Sequence, residues 1–148
     1  MKIETMGSVL RESIRVFERK LGLLNEIQSS CCEVTLAQCH AIVEIGRNPQ
    51  ISLNELAAKL GLDKSTISRT LLTLVQNGIA VRETAPEDRR YATIQLTEKG
   101  YSIFKQIEQN MEERFRNIAD AIPLEKREQV VESLQILNKV LETTRLNK

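Results

Sequence analysis

The 148-residue sequence is poor in the residues from which enzymes build most active sites. It has one histidine and three cysteines, so it offers no His–acid pairing to build on. It also lacks a C-x-x-C motif, a G-x-S-x-G motif and a glycine loop that could cradle a phosphate. These absences argue against an enzyme and against a bound cofactor that the protein requires.

Long apolar runs are also missing. The longest uninterrupted ones span a few residues, far fewer than the roughly 20 that a membrane-spanning helix needs. The N-terminal residues do not show the basic, apolar and small-residue order of a signal peptide. An odd number of cysteines fits reduced thiols. We therefore expect a cytoplasmic protein that does not bind membranes.

Three long segments have apolar residues spaced by three and four, the pattern of amphipathic helices. The first stripe comprises Met6, Leu10, Ile14, Phe17, Leu21 and Leu24. The second runs from Tyr101 to Ile122 and the third from Val130 to Leu141, with Pro123 placed between two helices. A chain of this size cannot bury all three stripes by itself. We expect them to form a homodimer interface, and the alternative is the core of a helical bundle.

Two short helices joined by a tight turn are predicted in the middle of the chain. Ser52, followed by an acidic residue three positions later, has the spacing of a capping box, and Gly61 is placed to end that helix. Asp63 is placed to cap the next helix, which Gly78 ends. A short helical pair with a glycine in the turn is typical of a helix-turn-helix.

The polar face of the second of these helices favours DNA binding. A solvated face normally mixes Glu and Lys, but residues 64–77 contain no acid. Hydroxyl and basic side chains instead occupy its first two turns: Lys64, Ser65, Thr66, Ser68 and Arg69. A helix that enters a major groove needs short hydroxyls for close approach and bases for phosphates or guanine edges. We predict that these five residues contact DNA.

A β-hairpin is predicted next, with a short apolar strand at 79–81 and a charged tip at 86–90. A helix-turn-helix followed by a hairpin is a winged helix. Arg89 and Arg90 are predicted to reach a minor groove or the flanking phosphates, and Asp88 to hold one arginine in position. The alternative is an exposed loop whose charges only keep the protein soluble.

The order of these features resembles the MarR family of bacterial transcriptional regulators. The resemblance is carried by "SLNELAAKLGLDKSTISRTLLTLVQNGIAVRE" and "PEDRRYATIQLTEKG" and extends over about the whole chain. It implies a mainly α fold with a small β-hairpin. A winged helix-turn-helix domain would span 31–99, and 1–30 and 100–148 would form a helical dimerisation domain. It also implies an obligate homodimer on a pseudo-palindromic double-stranded DNA operator, with Ser52 and Asn54 touching the DNA backbone.

All three cysteines and the histidine lie between Ser29 and His40. Cys31 and Cys32 are adjacent in a connection between helices, where packing does not require them. Cys39 is expected to point inward, and His40 to lie at or near the surface. Neighbouring ligands converge poorly on one zinc ion. Thiolates that bind a soft metal or metalloid, or a reversible disulfide, are easier to build here.

Three functions are consistent with these patterns. The first is a repressor released by a thiol-reactive effector, or by a soft metal or metalloid, acting at the cysteines. The second is a repressor released by a small organic ligand bound between the dimerisation and DNA-binding domains. The third is a winged helix used only for protein contact, since the fold does not dictate DNA binding. Residues 52–96 carry six basic and five acidic side chains, so DNA binding depends on where the bases lie rather than on net charge.

Overall fold

The computed structural model of the chain describes residues 3–30, 34–85 and 88–146. Side chains are described for residues 5–24, 34–84 and 92–144. The helices are α1 (Ile3–Ser30), α2 (Leu36–Arg47), α3 (Leu53–Leu60), α4 (Lys64–Gln76), α5 (Glu98–Ala121) and α6 (Arg127–Leu146). The strands are β1 (Ile51–Ser52), β2 (Ala80–Ala85) and β3 (Asp88–Leu96), and a 3-10 turn spans Leu124–Lys126. The predicted mainly α fold with a small β-hairpin is confirmed.

Local side-chain bonds fix the ends of the short helices. The Thr35 hydroxyl accepts the Gln38 amide at 3.2 Å, and the Gln38 side chain accepts the Thr35 amide at 3.0 Å. At the start of α3, the Ser52 hydroxyl accepts a backbone N–H at 3.1 Å. Gly61 (φ 64°) ends α3 and Gly78 (φ 71°) follows α4, and glycine reaches these left-handed conformations without strain. The predicted N-cap at Ser52 and the terminators Gly61 and Gly78 are therefore confirmed.

The core lies where α2, α3 and α4 pack with the sheet. Its largest fully buried side chains come from all of these elements: Ile42, Ile45, Leu56, Ile67, Leu74 and Ile94. The sheet is antiparallel with strand order β1-β3-β2, and Ile51 of β1 pairs with Ile94. The sequence pattern did not predict β1, because two residues show no periodicity.

The hairpin is longer than predicted. Instead of ending at residue 81, β2 continues to Ala85, and β3 begins at Asp88, so the charged residues at 88–90 belong to a strand. An exposed ladder is held by its backbone hydrogen bonds and does not need alternating apolar side chains. Exposed Glu83, for example, pairs with Thr93. Apolar periodicity could therefore not mark the ends of these strands.

The "LTEKG" segment (residues 96–100) leads from the end of β3 into the start of α5. Its hydrogen bonds reach the backbone that follows α4, so we call it the α4–α5 junction. The Thr97 amide donates to the Ile79 carbonyl at 3.0 Å, and the Thr97 hydroxyl donates to the Gly78 carbonyl at 2.6 Å, with the Ile79 carbonyl at 3.1 Å. The Thr97 hydroxyl also accepts the Gly100 amide at 3.1 Å, and the Lys99 ammonium donates to the Asn77 carbonyl at 3.0 Å. A Cβ at Gly100 would overlap the Ile79 carbonyl oxygen. Glycine therefore lets α5 approach this backbone closely.

The chain divides into two compact units, residues 1–110 and 111–148. None of the described side chains in the second unit is buried. The Arg127 guanidinium holds its turn by donating to the Ile122 and Asp120 carbonyls at 2.9 and 3.1 Å. The sequence instead predicts a DNA-binding domain at 31–99 and a dimerisation domain at 1–30 and 100–148. That division separates the chain by function, whereas the two units are defined by contacts, so it stays a prediction.

The apolar stripes predicted from the sequence are largely exposed in the single chain. On α1 the exposed members are Met6, Leu10 and Phe17. On α6 large exposed apolar residues are Val130, Val131, Leu134, Ile136, Val140 and Leu141. No helix among the described residues is both long and apolar enough to cross a membrane. Among the described residues, both helices therefore carry exposed apolar faces.

Candidate nucleic-acid interface

Helix α4 turns one face to the core and the opposite face to solvent. In the sequence, the apolar stripe predicted for this helix consists of Ile67, Leu71, Leu74 and Val75. The structure buries the first three of them. Val75 was expected to join them, but it is 39% exposed. Successive helical residues are about 100° apart, so a side chain that follows Leu74 directly points away from the face that Leu74 packs. The core therefore takes a narrower stripe of α4 than predicted.

The residues predicted to contact bases and phosphates lie on the outer side of α4. Lys64, Ser65, Ser68 and Arg69 are exposed, and Thr66 is half-buried. Ser65 and Arg69 are four residues apart, so they lie one above the other on the helix surface. We call the set Lys64, Ser65, Thr66, Ser68 and Arg69 the recognition face. It presents hydroxyls and positive charge to solvent and no acid.

Asp63 organises the start of this face. Its Oδ1 accepts the Thr66 amide at 2.7 Å and the Ser65 hydroxyl at 3.1 Å. Side-chain and backbone hydrogen bonds from Thr66, then the bond from Ser65 and the charge of Arg69, hold the pKa of this carboxyl below its usual 3.8. The carboxylate caps the positive end of the helix dipole. Because Ser65 donates its proton to Asp63, its lone pairs are left to accept from an amino group such as that of cytosine or adenine.

The two predicted backbone contacts lie at the start of α3. The Ser52 hydroxyl accepts the Glu55 amide, so it caps the helix, but its own proton remains available to donate. Asn54 is exposed in the first turn. Both residues can therefore donate to a phosphate, and their contact with the DNA backbone stays a prediction.

The wing residues are described only by their backbone. Asp88, Arg89 and Arg90 begin β3, where Asp88 pairs with Ala85. Their side chains lie outside the described part of the structure. The predicted groove contact of Arg89 and Arg90, and the orienting role of Asp88, stay predictions.

The cysteine cluster is only partly described. Cys31 and Cys32 lie outside the described residues. Cys39 is buried, with 5% of its surface exposed, and His40 is exposed, as expected for both. Within the described ranges, no three His, Cys, Asp or Glu side chains are grouped so that they could hold a metal ion. A sensor built on Cys31 and Cys32 therefore stays a prediction.

One exposed residue on the outer side of α4 was not singled out by the sequence pattern. Leu72 is 57% exposed, and it is surrounded along the helix by leucines that pack inward. Leu72 lies three residues after Arg69 and seven after Ser65, so the three side chains form one row on the outer side of the helix. We call this row the outer line. That spacing was the signal that could have identified it.

The sequence model of the MarR family matches residues 33–90. The HTH-type transcriptional regulator BilQ of Clostridium symbiosum (strain WAL-14163) is 28% identical over 109 residues, which cover 74% of this chain and 76% of BilQ. The uncharacterized HTH-type transcriptional regulator YfiV of Bacillus subtilis (strain 168) is 24% identical over 113 residues, covering 76% and 71%.

Solved structures share the fold. The transcriptional regulator SlyA superposes with a TM-score of 0.80 at 22% identity, covering 95% of this chain and 99% of SlyA. Streptococcus pneumoniae FabT in complex with DNA gives 0.75 at 20% identity, covering 89% and 99%. Together with the arrangement of α3, α4 and the β2–β3 wing, these matches agree with the predicted absence of enzymatic activity. Residues 33–90, which contain the helix-turn-helix and most of the wing, therefore match the MarR family, and the chain shares its fold with a MarR family transcription regulator at a TM-score of 0.83 over 99% of both chains.

Proposed function

We propose that this protein is a cytoplasmic homodimeric repressor that binds a pseudo-palindromic double-stranded DNA operator and is released by an effector. The observation that carries the proposal is the recognition face, an exposed and acid-free surface at the N-terminal part of α4. In helix-turn-helix proteins this part of the second helix contacts base edges. Structures of FabT in complex with DNA and of a Staphylococcus aureus MepR mutant bound to an oligodeoxyribonucleotide share the fold at TM-scores of 0.75 and 0.58, which supports the proposal.

The exposed apolar faces support a homodimer. Helix α6 carries the exposed Val130 and Leu134 on one side and Ile136 and Val140 on another. A helix that is apolar around most of its circumference is normally enclosed by other elements. Burying one such side chain contributes about 1.5–3 kcal/mol, so several of them from each chain provide a strong reason to associate. A symmetric dimer would also present two copies of α4 to two operator half-sites.

We propose two classes of effector. One is a thiol-reactive compound, or a soft metal or metalloid, acting at Cys31 and Cys32. The burial of Cys39 makes it a poor first target for a reagent, so Cys39 would serve as a second ligand or disulfide partner. The other is a small organic ligand, which is supported by the same fold in a Staphylococcus aureus MarR solved in complex with salicylate and kanamycin, at a TM-score of 0.82.

The DNA-binding proposal is tested by fluorescence anisotropy with duplex DNA from immediately upstream of the protein's own gene. The Arg69→Ala variant removes a recognition-face cation, and we expect affinity to fall by at least roughly thirtyfold, because a base contact worth about 1–3 kcal/mol would be lost in each half-site. Lys105→Ala removes an exposed charge on α5 and should change affinity by less than about twofold. If the wild-type protein binds this DNA no better than a scrambled duplex, the repressor proposal is wrong.

The protein-contact alternative makes a different prediction. If the protein is a repressor, an Arg69→Ala, Arg90→Ala double variant should lose operator binding. If the winged helix only contacts protein, the same two substitutions should change its activity little.

A second variant pair separates the effector classes. The Cys31→Ser, Cys32→Ser double variant should bind DNA normally and no longer respond to phenylarsine oxide or diamide. Cys39→Ala serves as the control for loss of a buried thiol.

Each outcome of the effector experiment shows whether Cys31 and Cys32 act as the sensor. If the wild-type complex dissociates with the reagent and the double variant does not, Cys31 and Cys32 form the sensor. If both respond equally, these two cysteines are not the sensor. If neither responds, the thiol proposal is wrong, and titration with salicylate as the organic probe tests the second class.

A further inference from the structure

Leu72 is an apolar side chain on a surface that is otherwise polar. It is 57% exposed, and it continues the outer line that Ser65 and Arg69 begin. Exposed Ser68 and Thr73 flank this line. The Thr73 hydroxyl donates to the Arg69 carbonyl at 2.9 Å, so it is bonded to the helix itself.

The core of the chain does not explain this leucine. The inner side of α4 is filled by Ile67, Leu71 and Leu74, and Leu72 is turned about 100° from Leu71. Single exposed leucines are common and need no explanation by themselves. This one lies on the surface that the proposed function turns toward DNA, about 10 Å along the helix axis from Ser65. It is therefore within the length of helix that a major groove can accommodate.

The chemistry of the groove selects one partner for an aliphatic side chain. Base edges in the major groove present hydrogen-bond donors and acceptors, and the single apolar group among them is the 5-methyl of thymine. A leucine placed against any other edge would remove water from a polar group without replacing its hydrogen bond. We propose that Leu72 packs against a thymine methyl in each operator half-site and so helps to determine which sequence is bound.

This inference rests on the proposed function, and one experiment separates the two. Each thymine of the operator is replaced in turn, symmetrically in both half-sites, by deoxyuridine, which removes only the methyl group. Affinities are measured by anisotropy for the wild type, for Leu72→Ala and for Val75→Ala. Val75 is the matched control because it is exposed on the same helix but lies off the outer line.

We expect one symmetric thymine pair at which uracil weakens wild-type binding by about fourfold per half-site, the equivalent of one buried carbon. At that pair Leu72→Ala should bind thymine and uracil equally, whereas Val75→Ala should keep the wild-type preference. Because Leu72 is exposed, Leu72→Ala should unfold at the same temperature as the wild type, which shows that the variant is folded.

Two results would overturn the inference and leave the proposed function intact. One is specific binding by the wild type with no thymine whose methyl matters. The other is a Leu72→Ala protein that keeps the full preference for thymine at every position. If the wild type shows no specific binding to the operator DNA at all, the proposed function fails, and this inference fails with it.

Discussion

Replacing Gly100 by alanine should destabilise the protein, although alanine is the better helix former. Gly100 lies in the first turn of α5, where a Cβ would overlap the Ile79 carbonyl oxygen and come within 3.1 Å of the Leu96 Cβ. The Ile79 oxygen is a backbone atom, so it cannot rotate away as a side chain would. The start of α5 would have to move away from the Ile79 backbone to make room.

That movement has two costs and one gain. Overpacking of this kind typically costs about 1–3 kcal/mol. A shift of α5 would also stretch the Thr97–Ile79 and Lys99–Asn77 hydrogen bonds, each worth about 0.5–1.5 kcal/mol. Alanine recovers about 1 kcal/mol of helix propensity. We expect a net loss of about 2 kcal/mol, which for a chain of this size lowers the Tm by roughly 6 °C.

The assay is thermal unfolding followed by circular dichroism at a fixed protein concentration, because the stability of the proposed dimer would depend on concentration. Ser102→Ala, on the exposed side of the same helix, should change stability by less than about 0.5 kcal/mol. Gly46→Ala is a second comparison, since its Cβ would meet the ring of Phe104, which can move more easily than backbone. A Gly100→Ala protein as stable as the wild type would show that the junction is not closely packed.

Three further outcomes are expected. The low folded-state pKa of Asp63 stabilises the protein above its unfolded value near 3.8, and this contribution is lost as pH falls through the folded value. Asp63→Asn should therefore flatten the acid limb of a urea-derived stability profile, and an unchanged limb would contradict this. Arg47→Ala should lower the free energy of unfolding by less than about 1 kcal/mol, because the ion pair of Arg47 with Glu108 is solvent-exposed. Adding Glu108→Ala to this variant should cause no further loss. Leu134→Glu should give a monomer by light scattering, whereas Glu132→Gln should remain dimeric.

The helix boundaries could be predicted because they depend on neighbours in sequence. Thr35, Ser52 and Asp63 each bond an amide three residues away, and Gly61 adopts the left-handed backbone conformation that ends α3. No distant part of the chain is needed for such bonds. Strand β1 escaped prediction because its partner Ile94 lies far along the chain, and the far ends of the wing escaped it because an exposed ladder does not need alternating apolar side chains.

Burial within α4 shows where sequence patterns become insufficient. Residues 71, 72, 74 and 75 are all apolar, and a pattern of spacings allows more than one inner face. Packing with α2 and α3 selects Leu71 and Leu74 and leaves Leu72 and Val75 outside. The exposed recognition face was predicted because its residue types differ so clearly from a mixed charged surface. The operator, the effector and the dimer contacts depend on other molecules, so this chain alone does not specify them.

The absence of buried side chains among the described part of residues 111–148 has a genetic consequence. If this unit gains its core only by joining a second chain, variants that keep α6 intact still enter mixed dimers with normal subunits. An Arg69→Ala subunit would then impair its normal partner, because each dimer needs two working recognition helices. With equal expression, only about one dimer in four would be wholly normal. Loss of DNA binding in this protein should therefore behave as a dominant trait, and loss of α6 as a recessive one.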